Sequence, residues 1–242
     1  MEWFESWFES PYYHVLYKNR DFNEAQHFLD NLLQFLNLDL GSHILDLACG
    51  KGRHSVYLNK LGYQVTGADL SSYNVQQASL NANESLRFIK HDMREVITEN
   101  AFDAVFNVFT SFGYFKDDSD NQKVLHAVSK ELKPGGVFVL DFLNIHQTID
   151  RLNPSEVKEI DGLIFKITKE ILSGFIFKNI QVFDGDKSFD FQERVQALSE
   201  NQLKLLIESS GLEVMHCFGD YELSEYDSSL SPRIILIAKK AE

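Results

Sequence analysis

Between residues 43 and 142 the chain repeats one pattern: a short β-rich run, a turn, then a stretch with helical spacing. Strand-like runs fall at 43–47, 63–68, 86–91, 104–109 and 136–142, with helical patterns at 53–61, 72–80 and 120–132. Such alternation predicts a parallel sheet with right-handed crossovers, because parallel neighbours need a long connection that packs back on the sheet. A further helix is predicted over 21–38 from Phe22, Ala25, Leu29, Leu32, Leu33 and Leu36, with Asp21 and Glu24 in capping-box spacing. Ser119 and Gln122 have the same spacing at the start of 120–132.

After Asn144 the texture changes. The runs "GLIFKITKEIL", "GFIFKNIQVFD" and "FDFQERVQAL" alternate apolar and polar residues and are separated by Ser173-Gly174 and Asp184-Gly185-Asp186. This predicts an antiparallel meander. A helix opened by Ser199 and Gln202 and ended by Gly211 follows, then strands at 213–218 and 233–239. The expected organisation is a lid segment over 1–20, a cofactor-binding core over 21–150, an inserted β meander over 151–197, and a helix with two strands over 198–242 completing the core sheet. The meander is expected to be a cap or an oligomer surface. The N-terminal aromatics Trp3, Phe4, Trp7, Phe8, Tyr12 and Tyr13 fit packing in the core or a homodimer contact as well as they fit a lid.

A chain of 242 residues, 44% of them hydrophobic, can bury a sizeable core. Its net charge of -13, with no run of lysines and arginines, argues against a grip on nucleic-acid phosphates. The opening "MEWFESWFESPYY" lacks the basic start and apolar middle of a signal peptide, and the longest apolar runs have strand length. A cytoplasmic protein without membrane partners is expected. Cys49 and Cys217 sit in no metal-type spacing and are expected to be free thiols; no metal site is expected.

Chemistry gathers at "HILDLACGKGRHS", His43 to Ser55. Ligands of open parallel sheets sit beyond the carboxyl ends of the strands. Those ends carry Asp46 with Ala48, Cys49, Gly50 and Gly52, then Asp69, Asp92, and Asn107, Val108 and Phe109: three carboxylates and no evident fixed cation. A pyrophosphate fingerprint wants a third glycine where Ser55 stands, and a carboxylate such as Asp46 beside the loop disfavours an anion. A nicotinamide oxidoreductase is therefore disfavoured. S-Adenosyl-L-methionine has the matching groups: an ammonium for Asp46, a methionine portion for the Ala48 to Gly52 backbone, a ribose diol for Asp69 and an adenine amine for Asp92. Leu70 and Met93 would flank the ring, the Met93 amide facing a ring nitrogen.

The ordered set "ILDLACGKGRHS", "VTGADLS", "IKHDMRE", "FDAVFNVFTSFGYF" and "LKPGGVFVLDFLN" resembles the class I S-adenosylmethionine-dependent methyltransferases, over about residues 40–144. The C-terminal stretch more loosely resembles a bacterial small-molecule branch. The resemblance implies an α/β, Rossmann-like, doubly wound sheet of seven mostly parallel strands in the order 3-2-1-4-5-7-6. It also implies in-line methyl transfer to an unidentified small molecule. A non-catalytic cofactor-binding module remains the alternative. No catalytic residue is assigned. Tyr13, Tyr17, Arg20, Tyr114, Asp141, Asn144, Arg194 and Arg233 are the candidates for binding the acceptor.

Overall fold

Residues 3–18 and 22–242 are described by the structure, a computed structural model. Two short helices, α1 (Trp3–Phe8) and α2 (Pro11–Leu16), precede the long amphipathic α3 (Phe22–Leu36). The core continues through β1 (His43–Leu47), α4 (Arg53–Lys60), β2 (Gln64–Asp69), α5 (Ser72–Ala78), β3 (Leu86–Lys90), β4 (Phe102–Asn107), α6 (Asp118–Glu131) and β5 (Leu132–Leu143). After α7 (Ile145–Asp150) come β6 (Ser155–Ile160), β7 (Leu163–Leu172), β8 (Phe175–Asp184) and β9 (Lys187–Gln196). Helix α8 (Glu200–Glu208), β10 (Leu212–Phe218) and β11 (Arg233–Lys240) complete the chain's elements.

The main sheet runs β10-β11-β5-β4-β1-β2-β3, with β11 antiparallel to both neighbours. Since β10 and β11 are its sixth and seventh strands, this is the expected 3-2-1-4-5-7-6 order. Successive residues of β1 serve opposite faces, as the pleat requires. Ile44 packs with Phe28 and Leu32 of α3 and Leu58 of α4, while Leu45 packs with Val124 and Leu125 of α6 and Leu203 of α8. Burial on both faces is why these strands are short continuous apolar runs.

The second sheet, β6-β7-β8-β9, is an antiparallel meander of four strands, one more than the three alternating runs predict. Two of its turns put both central residues at positive φ, Asp161-Gly162 at 52° and 77° and Ser173-Gly174 at 51° and 78°, which suits the twist of a two-residue hairpin. One face of this sheet is covered. Phe165, Ile167, Ile180 and Val182 pack against Trp7 and Leu16 of the two N-terminal helices.

One expectation about helix starts needs correction. Ser199 and Gln202 form their capping box, but the one at Ser119 and Gln122 is absent: α6 starts from Asp117, which makes no side-chain cap. Gln122 instead donates to the Leu206 carbonyl and accepts from Ser209, tying α6 to α8. Asp21 of the third proposed box lies outside the described residues, as does Arg20.

Candidate active site

The turn after β1 is a run of left-handed residues, with φ of 62° at Ala48, 57° at Gly50 and 77° at Gly52. Gly52 donates to the Cys49 carbonyl at 3.0 Å, closing the turn, and the Gly50 amide donates to Asp69 at 2.8 Å. A Cβ at Gly50 would meet no protein atom within 4 Å, so the backbone here faces open space. A Cβ at Gly52 or Gly67 would come within 2.5 Å of the Phe88 ring. The close packing of α4 on β2 thus relies on Gly67 in the strand, where the missing third glycine would have acted from the helix. Ser55, in that position, donates its hydroxyl to Asp46 at 2.5 Å.

The three strand-end carboxylates have different environments. Asp46 is fully buried; burial raises its pKa to about 6, against hydrogen bonds from the Ser55 hydroxyl and amide. Burial also raises Asp69 above the usual carboxylate value, opposed by the Ser71 and Gly50 amides and the Asn74 side chain. Burial works against ionisation of Asp92 too, but the Arg94 guanidinium overcomes it and holds the carboxyl below its usual value. Arg94 grips Asp92 at 2.6 Å and Asp120 of α6 at 3.0 Å. The expectation of a crevice without a fixed cation is corrected by Lys51 and Arg53, which line it, while Arg94 holds Asp92 from outside the lining. Among the described residues, Asn74 Oδ1 is buried without a hydrogen-bond partner, on a residue that lines the same cavity as Asp69.

That cavity measures about 830 Å³ and lies between the strand ends and the N-terminal helices with the meander. Asp46, Ala48, Cys49, Gly50, Asp69 and Leu70 line it, as do Asp92, Met93, Val108 and Phe109. So do three of the acceptor candidates, Tyr13, Tyr17 and Tyr114. Other candidates lie elsewhere. Gly52 caps α4, and the Asn107 amide donates to the Leu47 and Ser111 carbonyls, joining the ends of β1 and β4. Asn144 caps α7 and donates to the Ser228 and Ser231 carbonyls. Arg194 lies over the Phe175 ring, 5.3 Å from its centroid.

Asp141 and Arg233 are also outside the lining. They form an ion pair at 2.8 Å, with Asp141 fully buried and Arg233 partly so, whose work is local support. Phe109 and Thr110 both adopt positive φ, 58° and 60°, costly for residues with a Cβ. The Asp141 carboxylate accepts from the Phe109 amide at 2.7 Å, and Arg233 donates to the Thr110 hydroxyl at 2.8 Å. These bonds hold the strained pair at the cavity wall, where the Phe109 ring stacks on His54 with centroids 4.6 Å apart.

Several lining residues carry no motif and were missed by sequence reasoning: Glu9 from the turn between α1 and α2, and Lys169, Lys178 and Glu193 from the meander; His14 of α2, which the sequence places in the lid segment with Tyr13 and Tyr17, lines the cavity too. Burial, with Lys51 nearby, lowers the His14 imidazole to about 4, so it is neutral at neutral pH. Along strands of alternating polarity, Lys178 and Glu193 look like ordinary solvent-facing positions.

Comparison with known proteins agrees with this geometry. Residues 44–136 match the family model described as a methyltransferase domain. A Bacillus subtilis protein described as the putative methyltransferase YqeM is 26% identical over 209 residues, covering 82% of this chain and 84% of its own. The ubiquinone biosynthesis O-methyltransferase of Erwinia tasmaniensis is 33% identical over 118 residues, 48% of either chain. Among solved structures, an S-adenosylmethionine-dependent methyltransferase from Clostridium acetobutylicum superposes with a TM-score of 0.80 at 21% identity over 96% of both chains. CalS10, an amino pentose methyltransferase solved with the cofactor bound, superposes at 0.71 and 18% identity, over 96% of this chain and 98% of its own. Residues 44–136 thus match a methyltransferase domain, and the strand order of the sheet that carries them is that of the class I S-adenosylmethionine-dependent methyltransferase fold.

Proposed function

We propose that the protein methylates a small molecule held inside the cavity, with the N-terminal helices and the meander as its cap. The carrying observation is the cavity itself: about 830 Å³, bounded by the glycine turn on one side and by α1, α2 and β7 to β9 on the other. That is the size of pockets that enclose small ligands, and the net charge of -13 disfavours a phosphate-backbone substrate. Among the described residues no helix is long and apolar enough to cross a membrane. The free thiols Cys49 and Cys217 suit the reducing cytoplasm that this reading assumes.

The residues present fit the cofactor. Asp46 would receive the ammonium, Asp69 the ribose hydroxyls with Asn74 Oδ1 available beside it, and Asp92, oriented by Arg94, the adenine amine. The open backbone at Gly50 leaves room for the methionine portion. When bound, S-adenosylmethionine supplies a methyl group on a sulfonium, already a good leaving group. The chain's task is then alignment of the acceptor and exclusion of water. The buried aromatic cap serves the second need, and the braced Phe109-Thr110 wall serves the first.

Replacing Asp69 tests the placement. Asp69→Ala is expected to weaken S-adenosylhomocysteine binding by roughly 10-fold to 100-fold, the scale of a lost hydrogen-bonding carboxylate. Calorimetric titration alongside far-ultraviolet dichroism separates this from unfolding. Wild-type affinity in a folded variant would place the ribose elsewhere.

A further inference from the structure

The cavity is electrostatically two-ended. Its floor, at the strand ends, carries Asp46, Asp69 and Asp92, and the floor's own cations are engaged by aromatic rings: Lys51 lies 5.2 Å from the Tyr73 centroid and Arg53 5.3 Å from that of Phe109. The meander and α7 contribute the opposite sign. Lys169, Lys178 and Arg151 line the roof against one meander carboxylate, Glu193. Lys169 is engaged by Glu156 at 2.9 Å, while Arg151 makes no ion pair among the described residues.

Lys178 is held as a ligand group would be. Its side chain is only 17% exposed; Nζ donates to the Tyr17 hydroxyl and lies 3.4 Å from Glu193 Oε2 and 4.6 Å from the Tyr17 ring centroid. Glu193 is already engaged by three donors. It takes the Trp7 indole N–H at 2.7 Å and the Tyr17 hydroxyl at 2.6 and 2.9 Å, besides Lys178. An ammonium has three N–H donors, and only two are directed at these partners. The Lys178–Glu193 pair is itself neutral, so the cluster offers the cavity a directed N–H donor on a charged group, and Arg151 leaves the roof as a whole positive, in a place where an anion gains from both. Beside it stand Trp3, Phe8 and Tyr114, in edge or tilted ring contacts 5.4 to 5.6 Å apart, a wall suited to a flat apolar body.

Resting on the methyltransferase reading of the cavity, we infer that the methyl acceptor is a ring-bearing organic anion whose carboxylate-type group is received by the third N–H of Lys178, with Glu193 and Tyr17 as the positioning residues that hold that ammonium in the roof. A protonated amine in the same place would bring charge of the same sign against Lys178 and leave its remaining donor unmet.

Two probes with the same two-carbon arm test this: 4-hydroxyphenylacetate, an anion, and tyramine, a cation. Each is titrated calorimetrically into the full chain saturated with S-adenosylhomocysteine. The anion is expected to bind at least tenfold more tightly. Lys178→Met should bring the ratio near one and Lys178→Arg should restore it, with S-adenosylhomocysteine affinity within twofold of wild type in both. The double variant Lys178→Met with Glu193→Gln removes both charges and should behave as Lys178→Met does, excluding an effect of an uncompensated Glu193. Equal or inverted preference in the wild type, or no anion binding by protein that still binds S-adenosylhomocysteine, overturns the inference. So does a preference that survives Lys178→Met. Failure to bind S-adenosylhomocysteine at all would instead overturn the reading of the cavity on which the inference rests.

Discussion

Asp46, proposed above to receive the cofactor's ammonium, would couple ligand binding to pH. Its carboxyl is buried and titrates near 6, above its unfolded value, so without ligand the protonated form is favoured by folding. The stability this contributes is present at pH below about 4 and is lost as pH rises through about 6, a span worth about 2 to 3 kcal/mol. An ammonium ligand reverses the preference, because it needs the carboxylate. S-Adenosylhomocysteine affinity is therefore expected to fall on acidification below about pH 6, by up to roughly tenfold per unit, and Asp46→Asn should flatten the profile while weakening binding at pH 7.5. Calorimetry between pH 5 and 7.5 measures both; a wild-type slope in the asparagine variant would remove the ammonium from Asp46. Asp46 and Asp69 are legible in sequence because each stands at or near the carboxyl end of its strand, Asp46 just before the glycine turn. The role of Ser55 was not: read along the chain it is an absent glycine, and only the fold shows its hydroxyl on Asp46 and Gly67 beneath it.

Between elements, packing distance decides. Gly67 lets the Phe88 ring and Ser55 sit against β2, and a Cβ there would approach Phe88 Cδ1 at 2.5 Å and Ser55 Oγ at 2.9 Å. Gly67→Ala is expected to destabilise the fold by about 1 to 3 kcal/mol through overpacking, read as a lower urea midpoint with an unchanged slope. An unchanged midpoint would show that Phe88 swings away freely. The strands and long helices were legible because a period of 2 or 3.6 persists over many residues. The six residues of α7 are too few to show one. The Ser119 box failed because Gln122 found partners on α8, a competitor that lies 84 residues away for the Leu206 carbonyl.

The whole molecule is a seven-stranded sheet with the N-terminal helices and the meander, its proposed cap, packed together across the strand ends. Trp7 is the cap's most enclosed anchor, fully buried, 4.7 Å from the Phe191 ring centroid, with its indole N–H on Glu193. Trp7→Ala is expected to cost about 3 to 5 kcal/mol and to release the N-terminal helices to limited proteolysis before the core is cut. Cutting at the wild-type rate would mean that the helices dock without it. The sequence by itself determined the parallel core, its strand order through the family resemblance, and the acidic floor, because strand alternation and the glycine turn are local chemistry repeated along the chain. Only the tertiary structure decided the roof. Tyr17, Lys178 and Glu193 stand on three elements, 161 and 176 residues separate the first from the other two, and their meeting depends on how the meander folds over the N-terminal helices. Asp141 and Arg233 moved from candidate ligands to a brace for the same reason: side chains at adjacent strand ends pair with each other when the fold buries them together.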